Sequence, residues 1–259
     1  MTSCKSIRND QGIFIHIDGI DGAGKSTLLQ AARHWAEEQQ LKIFDCVAWS
    51  RQEKRLPLLE EVGDADVLLT AEPTHAGIGS VIREEIIRAG SPYSARFTAH
   101  AFALDRGVQY TRLVLPFLQA RPGRWVIQDR GILSSLAYQP LQSQQEKEST
   151  LSLSIDELID MEGNRLAIQS PPDIFIFLDI DPDLAQERLS GRTDKQDNDR
   201  YSTNSFQTLL AERYRDPTVC QSLTSQGTTI IRLDGAKTQK ELGEEIKKIL
   251  AQFSEHGTV

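Results

Sequence analysis

The chain has 259 residues and a formal net charge of −8, with 39% hydrophobic and 25% charged residues. This composition is typical of an ordinary globular protein, and the length suits one sizeable α/β domain. The negative charge argues against a nucleic-acid partner, because a broad nucleic-acid-binding face needs an excess of Lys and Arg. Apolar runs fall short of the roughly 20 residues of a membrane span, and the first residues are not signal-like, so we expect a cytoplasmic protein with no membrane partner. The three widely spaced cysteines are expected to be free thiols.

Short apolar strands alternate with longer amphipathic stretches along the chain. The predicted strands are residues 13–17, 67–70, 125–128, 174–180 and 228–233. The stretches between them carry apolar residues at helical spacing. This alternation predicts an α/β fold built from βαβ units, with a mostly parallel sheet and ligands at the carboxyl ends of its strands.

The sequence indicates one domain, over residues 13–255, which follows an N-terminal tail at residues 1–12. Within this domain, residues 45–66 are mixed in charge and are interpreted as a surface insertion. Residues 140–170 are rich in Gln, Glu and Ser and are interpreted as a second surface addition. Residues 193–204 are strongly polar, and we expect them to be mobile.

The segment GIDGAGKS fits the phosphate-loop pattern G-x-x-x-x-G-K-[ST] and lies between a predicted strand and a predicted helix, as that motif requires. Its glycines let several backbone N–H groups surround one anion, and the helix N-terminus adds partial positive charge. Lys25 is expected to reach the outer phosphates, and Ser26 to ligate Mg²⁺. The alternative is a glycine-rich turn without a ligand. The residues predicted to bind ATP are Gly19, Ile20, Asp21, Gly22, Ala23, Gly24, Lys25, Ser26 and Thr27.

A second motif, WVIQDRGILSSLAYQ, places an Asp–Arg pair at the carboxyl end of a predicted strand. Asp129 is then expected near the Mg²⁺ beside Ser26, or near its water shell. Arg130 could hold a second phosphate through two parallel hydrogen bonds. The alternative is that the pair only caps the following helix.

Five segments together resemble the thymidylate kinase family, in its order and spacing. They are GIDGAGKST, TAEPTHAGIGSVIRE, FALDR, DRGILSSLAYQ and PDIFIFLDIDPDLAQERLSGR, and they extend over roughly residues 13–233. The phosphate loop is common to many ATPases, whereas the combination is specific to this family. The resemblance implies a P-loop kinase fold with a five-stranded parallel sheet flanked by helices and a mobile lid at about residues 190–204. It also implies Mg²⁺-dependent transfer from ATP to dTMP in dTTP synthesis, giving dTDP and ADP, and a homodimer formed near residues 97–118.

The resemblance also assigns the nucleoside side of an acceptor site. Phe102 would stack on the thymine ring, and Arg106, one helical turn later, would reach a base carbonyl. Without the resemblance, Phe102 would more simply be a core aromatic, and Tyr138 could be plain packing. The other residues implied to line this side are Ser134, Ser135, Tyr138 and Gln139.

The phosphate side of the acceptor site follows from the same resemblance. Arg83 and Arg130 would grip the monophosphate, while Glu72 and Asp21 would position the acceptor or magnesium-bound water. Glu72 could equally be a loop carboxylate without this role.

Phosphoryl transfer depends on positioning and charge neutralisation, so a cationic side chain should reach the transferring group. The variable positions of the phosphate loop carry no arginine, whereas the polar stretch near residues 188–200 carries four basic side chains and matches the lid of the family. Arg192 and Arg200 are the favoured candidates, the alternative being a solvated charged face. The residues predicted to be catalytic are Lys25, Asp21, Arg130, Arg192 and Arg200.

Two departures from the family pattern bear on the acceptor. Gly131 stands where Tyr or His usually follows the Asp–Arg pair, and Ala71 stands where Arg usually precedes the Glu–Pro pair. They leave open a related nucleoside-monophosphate or deoxynucleoside kinase with another acceptor. A third hypothesis, a non-catalytic nucleotide-binding regulator, is disfavoured by the intact Lys25, Ser26 and Asp–Arg pair.

Overall fold

The centre of the fold is a parallel β-sheet that carries the predicted phosphate loop at the carboxyl ends of its strands. The structure is a computed structural model that describes residues 12–146, 152–191 and 200–256. The strands run in the order β2-β3-β4-β1-β5-β6, and every neighbouring pair is parallel. The strands are β1 (Ile13–Gly19), β2 (Ile43–Asp45), β3 (Val67–Ala71), β4 (Trp125–Asp129), β5 (Ile174–Asp179) and β6 (Thr229–Asp234).

The α/β fold with a parallel sheet flanked by helices is confirmed, but within the described residues the sheet has six strands rather than five. The additional strand, β2, is only three residues long and lies at the sheet edge beside β3. Three residues are too few to show a period in the sequence. Strands β1 and β3 are buried along their whole length, which explains why most of their residues are apolar.

Helices cover both faces of this sheet. They are α1 (Lys25–Glu38), α2 (Cys46–Glu53), α3 (Leu59–Val62), α4 (Ile78–Val81), α5 (Ala95–Gln109), α6 (Leu115–Ala120), α7 (Ile132–Gln145), α8 (Ile155–Asp160), α9 (Glu162–Gln169), α10 (Pro182–Ser190), α11 (Asn204–Arg215), α12 (Pro217–Thr224) and α13 (Gln239–His256). Two π-helical segments, Ile82–Ile86 and Tyr110–Val114, continue α4 and α5. In the part of the chain that the structure describes, no helix is long and apolar enough to cross a membrane.

Strand register brings the candidate site residues to one edge of the sheet. Ala71 on β3 and Ile17 on β1 both pair with Asp129 at the end of β4. The N–H of Glu72 donates to the carbonyl of Asp129 (2.9 Å), and the N–H of Arg130 donates to that of Ile17 (2.9 Å). The chain segments after β1, β3 and β4 therefore leave the sheet side by side.

The two stretches interpreted as surface additions both contribute buried side chains. In residues 45–66, Cys46 and Val62 are buried, and in residues 140–170, Leu158 and Ala167 are fully buried. These apolar positions are widely spaced among polar ones, so the composition of each stretch conceals them. Cys46 is a free thiol, as expected, and so is the buried Cys220.

Helices α5 and α9 pack more closely than any side chain at residue 163 would allow. A Cβ atom on Gly163 would lie 1.8 Å from the carbonyl oxygen of Ala103, and one on Gly107 would lie 3.2 Å from the Cα of Gly163. This close packing matters for the site because α5 carries Phe102 and Arg106. The glycine at residue 163 therefore sets how near these helices come together.

We expect Gly163→Ala to lower the free energy of unfolding by about 1–3 kcal/mol, because overpacking against backbone forces the helices apart. Thermal and urea unfolding followed by circular dichroism measure this change. Gly243→Ala on α13 is the matched control, since its Cβ would meet the Cβ of Ala31 at an ordinary 3.6 Å. Alanine favours helix over glycine, so the control should keep or gain stability. Equal stability of the two variants would contradict the packing argument.

Candidate active site

A cavity of about 220 Å³ lies where the carboxyl ends of β1, β3 and β4 meet. Residues predicted to bind ATP and residues predicted to bind the acceptor both line this cavity. The predicted residues on its wall are Asp21, Gly22, Gly24, Lys25, Ser26, Glu72, Arg83, Phe102, Asp129, Arg130, Ser134, Ser135, Tyr138 and Gln139. Four lining residues escaped the sequence analysis: Pro73, Ile87, Leu189 and Tyr201.

The phosphate loop folds as the motif predicts. Gly22 and Gly24 have positive φ angles of 81° and 106°, and a Cβ on Gly22 would come within 2.3 Å of the carbonyl oxygen of Ala185. The 14-residue helix α1 begins at Lys25, so its N-terminal end faces the cavity. The Lys25 ammonium donates to the carbonyls of Gly19 (3.0 Å) and Ile20 (2.9 Å). Burial, followed by the charge of Arg130, lowers the pKa of Lys25 below its usual value.

Arg130 links the end of β4 to the phosphate loop. Its Nη1 donates to Asp18 Oδ1 at 3.2 Å, and its Nη2 donates to Asp21 Oδ1 at 2.5 Å. Its guanidinium also stacks 5.3 Å from the centre of the Tyr138 ring, and Nη1 reaches Ser134 Oγ at 3.3 Å. The residue adopts a left-handed φ of 65°. That unfavourable backbone conformation is offset by these contacts, which aim the side chain into the cavity.

Asp18, a buried carboxylate that was not predicted as a site residue, holds this arrangement together. Besides Arg130, it accepts hydrogen bonds from Ser134 Oγ (2.8 Å) and the Tyr214 hydroxyl (2.8 Å). Burial raises the pKa of Asp18 above its ordinary value, although Arg130 and Lys25 act in the opposite direction. A signal was available, because Asp18 is an acidic residue in a mostly apolar strand directly before the phosphate loop.

Asp21 is held by α11 as well as by Arg130. Its N–H donates to Gln207 Oε1 at 3.1 Å, and Gln207 Nε2 donates back to Asp21 Oδ2 at 3.3 Å and to the Tyr201 carbonyl at 2.8 Å. Burial raises the pKa of Asp21, but Arg130 and Lys25 outweigh it and hold the pKa below its usual value. Gln207 thus ties the segment after the predicted lid to the phosphate loop.

On the acceptor side, Arg106 lies behind the cavity wall, with a side chain that is 1% exposed. It donates to Glu72 Oε2 through Nε (2.9 Å) and Nη2 (2.6 Å), and also to Asn164 and, at 2.9 Å, to Ser135 Oγ. Gln128 donates to the other Glu72 oxygen at 3.1 Å. Glu72 and Ser135 line the cavity, so Arg106 influences the cavity through its hydrogen bonds to these two residues.

Arg83 and Phe102 lie on the same wall. Arg83 Nε donates to the carbonyls of Pro73 (3.0 Å) and Thr74 (3.1 Å), and burial lowers the pKa of Arg83 to about 10, which leaves it charged at neutral pH. Asp105 fixes this loop by accepting from the N–H and the hydroxyl of Thr74, both at 2.7 Å. Phe102 is half-buried at the cavity rather than enclosed in the core.

The residues predicted to bind Mg²⁺ suit that ion. Ser26 is exposed on the first turn of α1, and Asp129 lies at the end of β4, both on the cavity wall. Asp129 Oδ1 is buried and has no hydrogen-bond partner among the described residues. Among the described residues, no three His, Cys, Asp or Glu side chains are arranged so that they could hold a metal ion. Magnesium held by one carboxylate, waters and substrate phosphates needs no such arrangement.

Of the two favoured lid arginines, only Arg200 lies within the described residues. Arg192 and residues 193–199 lie outside the described residues. Arg200 donates through Nη1 to the carbonyl of Tyr93 (2.7 Å), and its N–H donates to that of Ile87 (2.8 Å). The end of the predicted lid is therefore attached to the acceptor side of the cavity.

We expect Gln207→Ala to weaken ATP binding about tenfold, because the half-buried N–H of Asp21 loses its partner at a cost of about 1–3 kcal/mol. Titration calorimetry with ATP measures the change. Thr208→Ala is the matched control, since the exposed Thr208 hydroxyl donates to the carbonyl of Asn204 within its own helix. An unchanged affinity in Gln207→Ala would show that the loop does not need this contact.

Comparison with known proteins identifies the family. The thymidylate kinase family model matches residues 53–246. A protein named probable thymidylate kinase from Thermococcus onnurineus is 30% identical over 82% of this chain and 91% of its own length, and one from Thermococcus gammatolerans is 32% identical over 73% and 76%. The thymidylate kinase of Leptospira interrogans is 28% identical over 94% and 96%. The resemblance seen in the motifs is therefore confirmed, and the chain belongs to the thymidylate kinase family.

Proposed function

We propose that this protein transfers a phosphoryl group from ATP to dTMP, giving ADP and dTDP in dTTP synthesis. One observation carries the proposal: a single cavity is lined by the phosphate loop and by the predicted acceptor residues. Lys25 and Ser26 lie on one side of it, and Arg83, Phe102 and Gln139 lie on the other. A donor and an acceptor bound there would meet without any rearrangement of the sheet.

On the donor side, backbone N–H groups of the loop and the start of α1 would hold the phosphates of ATP, with Lys25 against the outer ones. Ser26 and Asp129 would hold Mg²⁺, which when bound would neutralise charge on the β- and γ-phosphates. Asp21 would order water at this ion. It is pinned from two sides, by Arg130 and by Gln207, so its carboxylate cannot swing away.

On the acceptor side, Arg83 and Arg130 would grip the monophosphate while Phe102 stacks on the base. Arg106 donates to Ser135 Oγ, so the Ser135 hydroxyl keeps its own proton to donate to a base carbonyl. In this proposal the hydrogen bond to the base carbonyl, which the sequence assigned to Arg106, is donated by the Ser135 hydroxyl. Gln139 Oε1, which is buried and has no hydrogen-bond partner among the described residues, could accept the N3–H of thymine.

The chemical step would rely on positive charge around the transferring group. Lys25 and Arg130 are at the cavity, and Arg192 and Arg200 of the lid are proposed to add charge when ATP is bound. Arg200 would have to exchange its present contact with Tyr93 for one with the nucleotide. Closure of the lid would also exclude water from the cavity.

We also propose a homodimer formed by α5. Three large apolar side chains on this helix are exposed: Phe97 (52%), Leu104 (59%) and Val108 (37%). Their spacing of seven and four residues puts them on one face of the helix. An apolar strip of this kind marks an interaction surface. A cytoplasmic location fits the free thiols of Cys46 and Cys220.

The acceptor is tested with a coupled assay of ADP release over dTMP, dUMP, dCMP, UMP and dGMP. We expect kcat/KM for dTMP to exceed that for dCMP by at least about tenfold, because the amino group of cytosine would face the Ser135 donor. Lys25→Ala should lower turnover with dTMP at least about a hundredfold. Lys42→Ala, which removes an exposed lysine paired with Asp64, should not. Equal use of dTMP and dCMP would contradict this proposal.

The dimer is tested with Leu104→Glu, which places a charge in the apolar strip. Light scattering coupled to size exclusion should show a shift from dimer to monomer. Leu209→Glu on α11 is the matched control, because Leu209 is similarly exposed (42%) but lies outside the strip. A wild-type protein that is monomeric at micromolar concentration would rule out this dimer.

A further inference from the structure

Gly131, the residue after the Asp–Arg pair, is a glycine for reasons of space. Its backbone is extended, with φ −176° and ψ −155°, a conformation open to any residue. A Cβ atom there, however, would lie 2.3 Å from Nδ1 and 2.4 Å from Cε1 of His16. These distances are far below contact, so the imidazole of His16 occupies the place where a side chain at residue 131 would begin.

His16 lies in the middle of β1, where its neighbour on β4 is Gln128. It is fully buried, and its ring packs edge-on against Phe14 with 4.6 Å between ring centres. Its Nε2 lies 3.3 Å from the Tyr110 hydroxyl, while Nδ1 has no partner among the described residues. Burial, followed by the charge of Arg106, lowers the pKa of His16 to about 3, so the ring is neutral.

The turn that touches this ring carries side chains of the cavity. Gly131 follows Arg130 directly, and its carbonyl accepts the N–H of Ser134 at 3.0 Å in the first turn of α7. Arg130 and Ser134 are the groups that hold Asp18 and Asp21. A displacement of the turn at Gly131 would therefore move both of these contacts.

We infer that His16 is a positioning residue for Arg130, because its imidazole, projecting from β1, fills the space that a side chain at residue 131 would occupy. The direction from Gly131 toward a Cβ points into the core, at His16, and not into the acceptor cavity. Gly131 therefore leaves no gap in the acceptor wall. This inference rests on the proposed function only where its test uses activity.

The test is a double-mutant cycle with Gly131→Ala and His16→Val, read first by thermal unfolding. Gly131→Ala should lower the melting temperature by several degrees, and adding His16→Val should restore more than half of that loss, because the clashing ring is gone. Valine suits a buried strand, so the double variant should fold. Thermal unfolding is measured without an acceptor, so a lack of dTMP kinase activity would not change the outcome of this test.

The same variants are then compared in kinetics. His16→Val should raise KM for dTMP at least about fivefold and KM for ATP by a smaller factor, because Asp21 of the phosphate loop keeps its contacts with Gln207. Gly131→Ala should lose activity that the double variant regains. His16→Val combined with Gly163→Ala is the matched control, because those positions do not touch, and it should show no rescue. A double variant no better than Gly131→Ala in both readouts would overturn the inference. So would a His16→Val variant whose two KM values change alike.

Discussion

One guanidinium, that of Arg130, is shared between two carboxylates on neighbouring segments, and the rest of the site is arranged around it. Asp18 ends the apolar part of β1 and Asp21 belongs to the phosphate loop, so Arg130 joins the loop to β4. A buried charge without a partner costs several kcal/mol, so the fully buried Asp18 could not carry its charge without a partner such as Arg130. Arg130 adopts a left-handed φ of 65° while its side chain contacts both acids.

A second buried ion pair shapes the acceptor side by the same logic. Glu72 and Arg106 are 4% and 1% exposed, and removal of one partner from such a pair typically costs about 3–5 kcal/mol. Through Asn164 and Ser135, Arg106 also ties α9 and α7 to α5. The buried contacts of Arg106 thus stabilise the cavity wall from behind. The groups on the cavity side of this wall can therefore contact a ligand.

Local patterns predicted much of this arrangement. Buried parallel strands are continuous apolar runs, and the phosphate loop and the Asp–Arg pair follow such runs directly, so their positions could be inferred without long-range information. The short strand β2 could not be, because three residues show no period. Gln207 was also missed, since its contact with Asp21 joins positions 186 residues apart in sequence. The reason for a glycine at residue 131 could not be predicted either, because it depends on contact with His16, which lies on β1 and is far away in the sequence.

Binding of donor and acceptor in one cavity can be measured with an analogue in which adenosine and thymidine are joined at their 5′ positions by a phosphate chain. The analogue is titrated by calorimetry and used as an inhibitor. Binding of one molecule per chain, with inhibition competitive against both ATP and dTMP, is the expected result. Binding that leaves the ATP site open, or inhibition competitive against only one substrate, would show that the two nucleotides do not share this cavity.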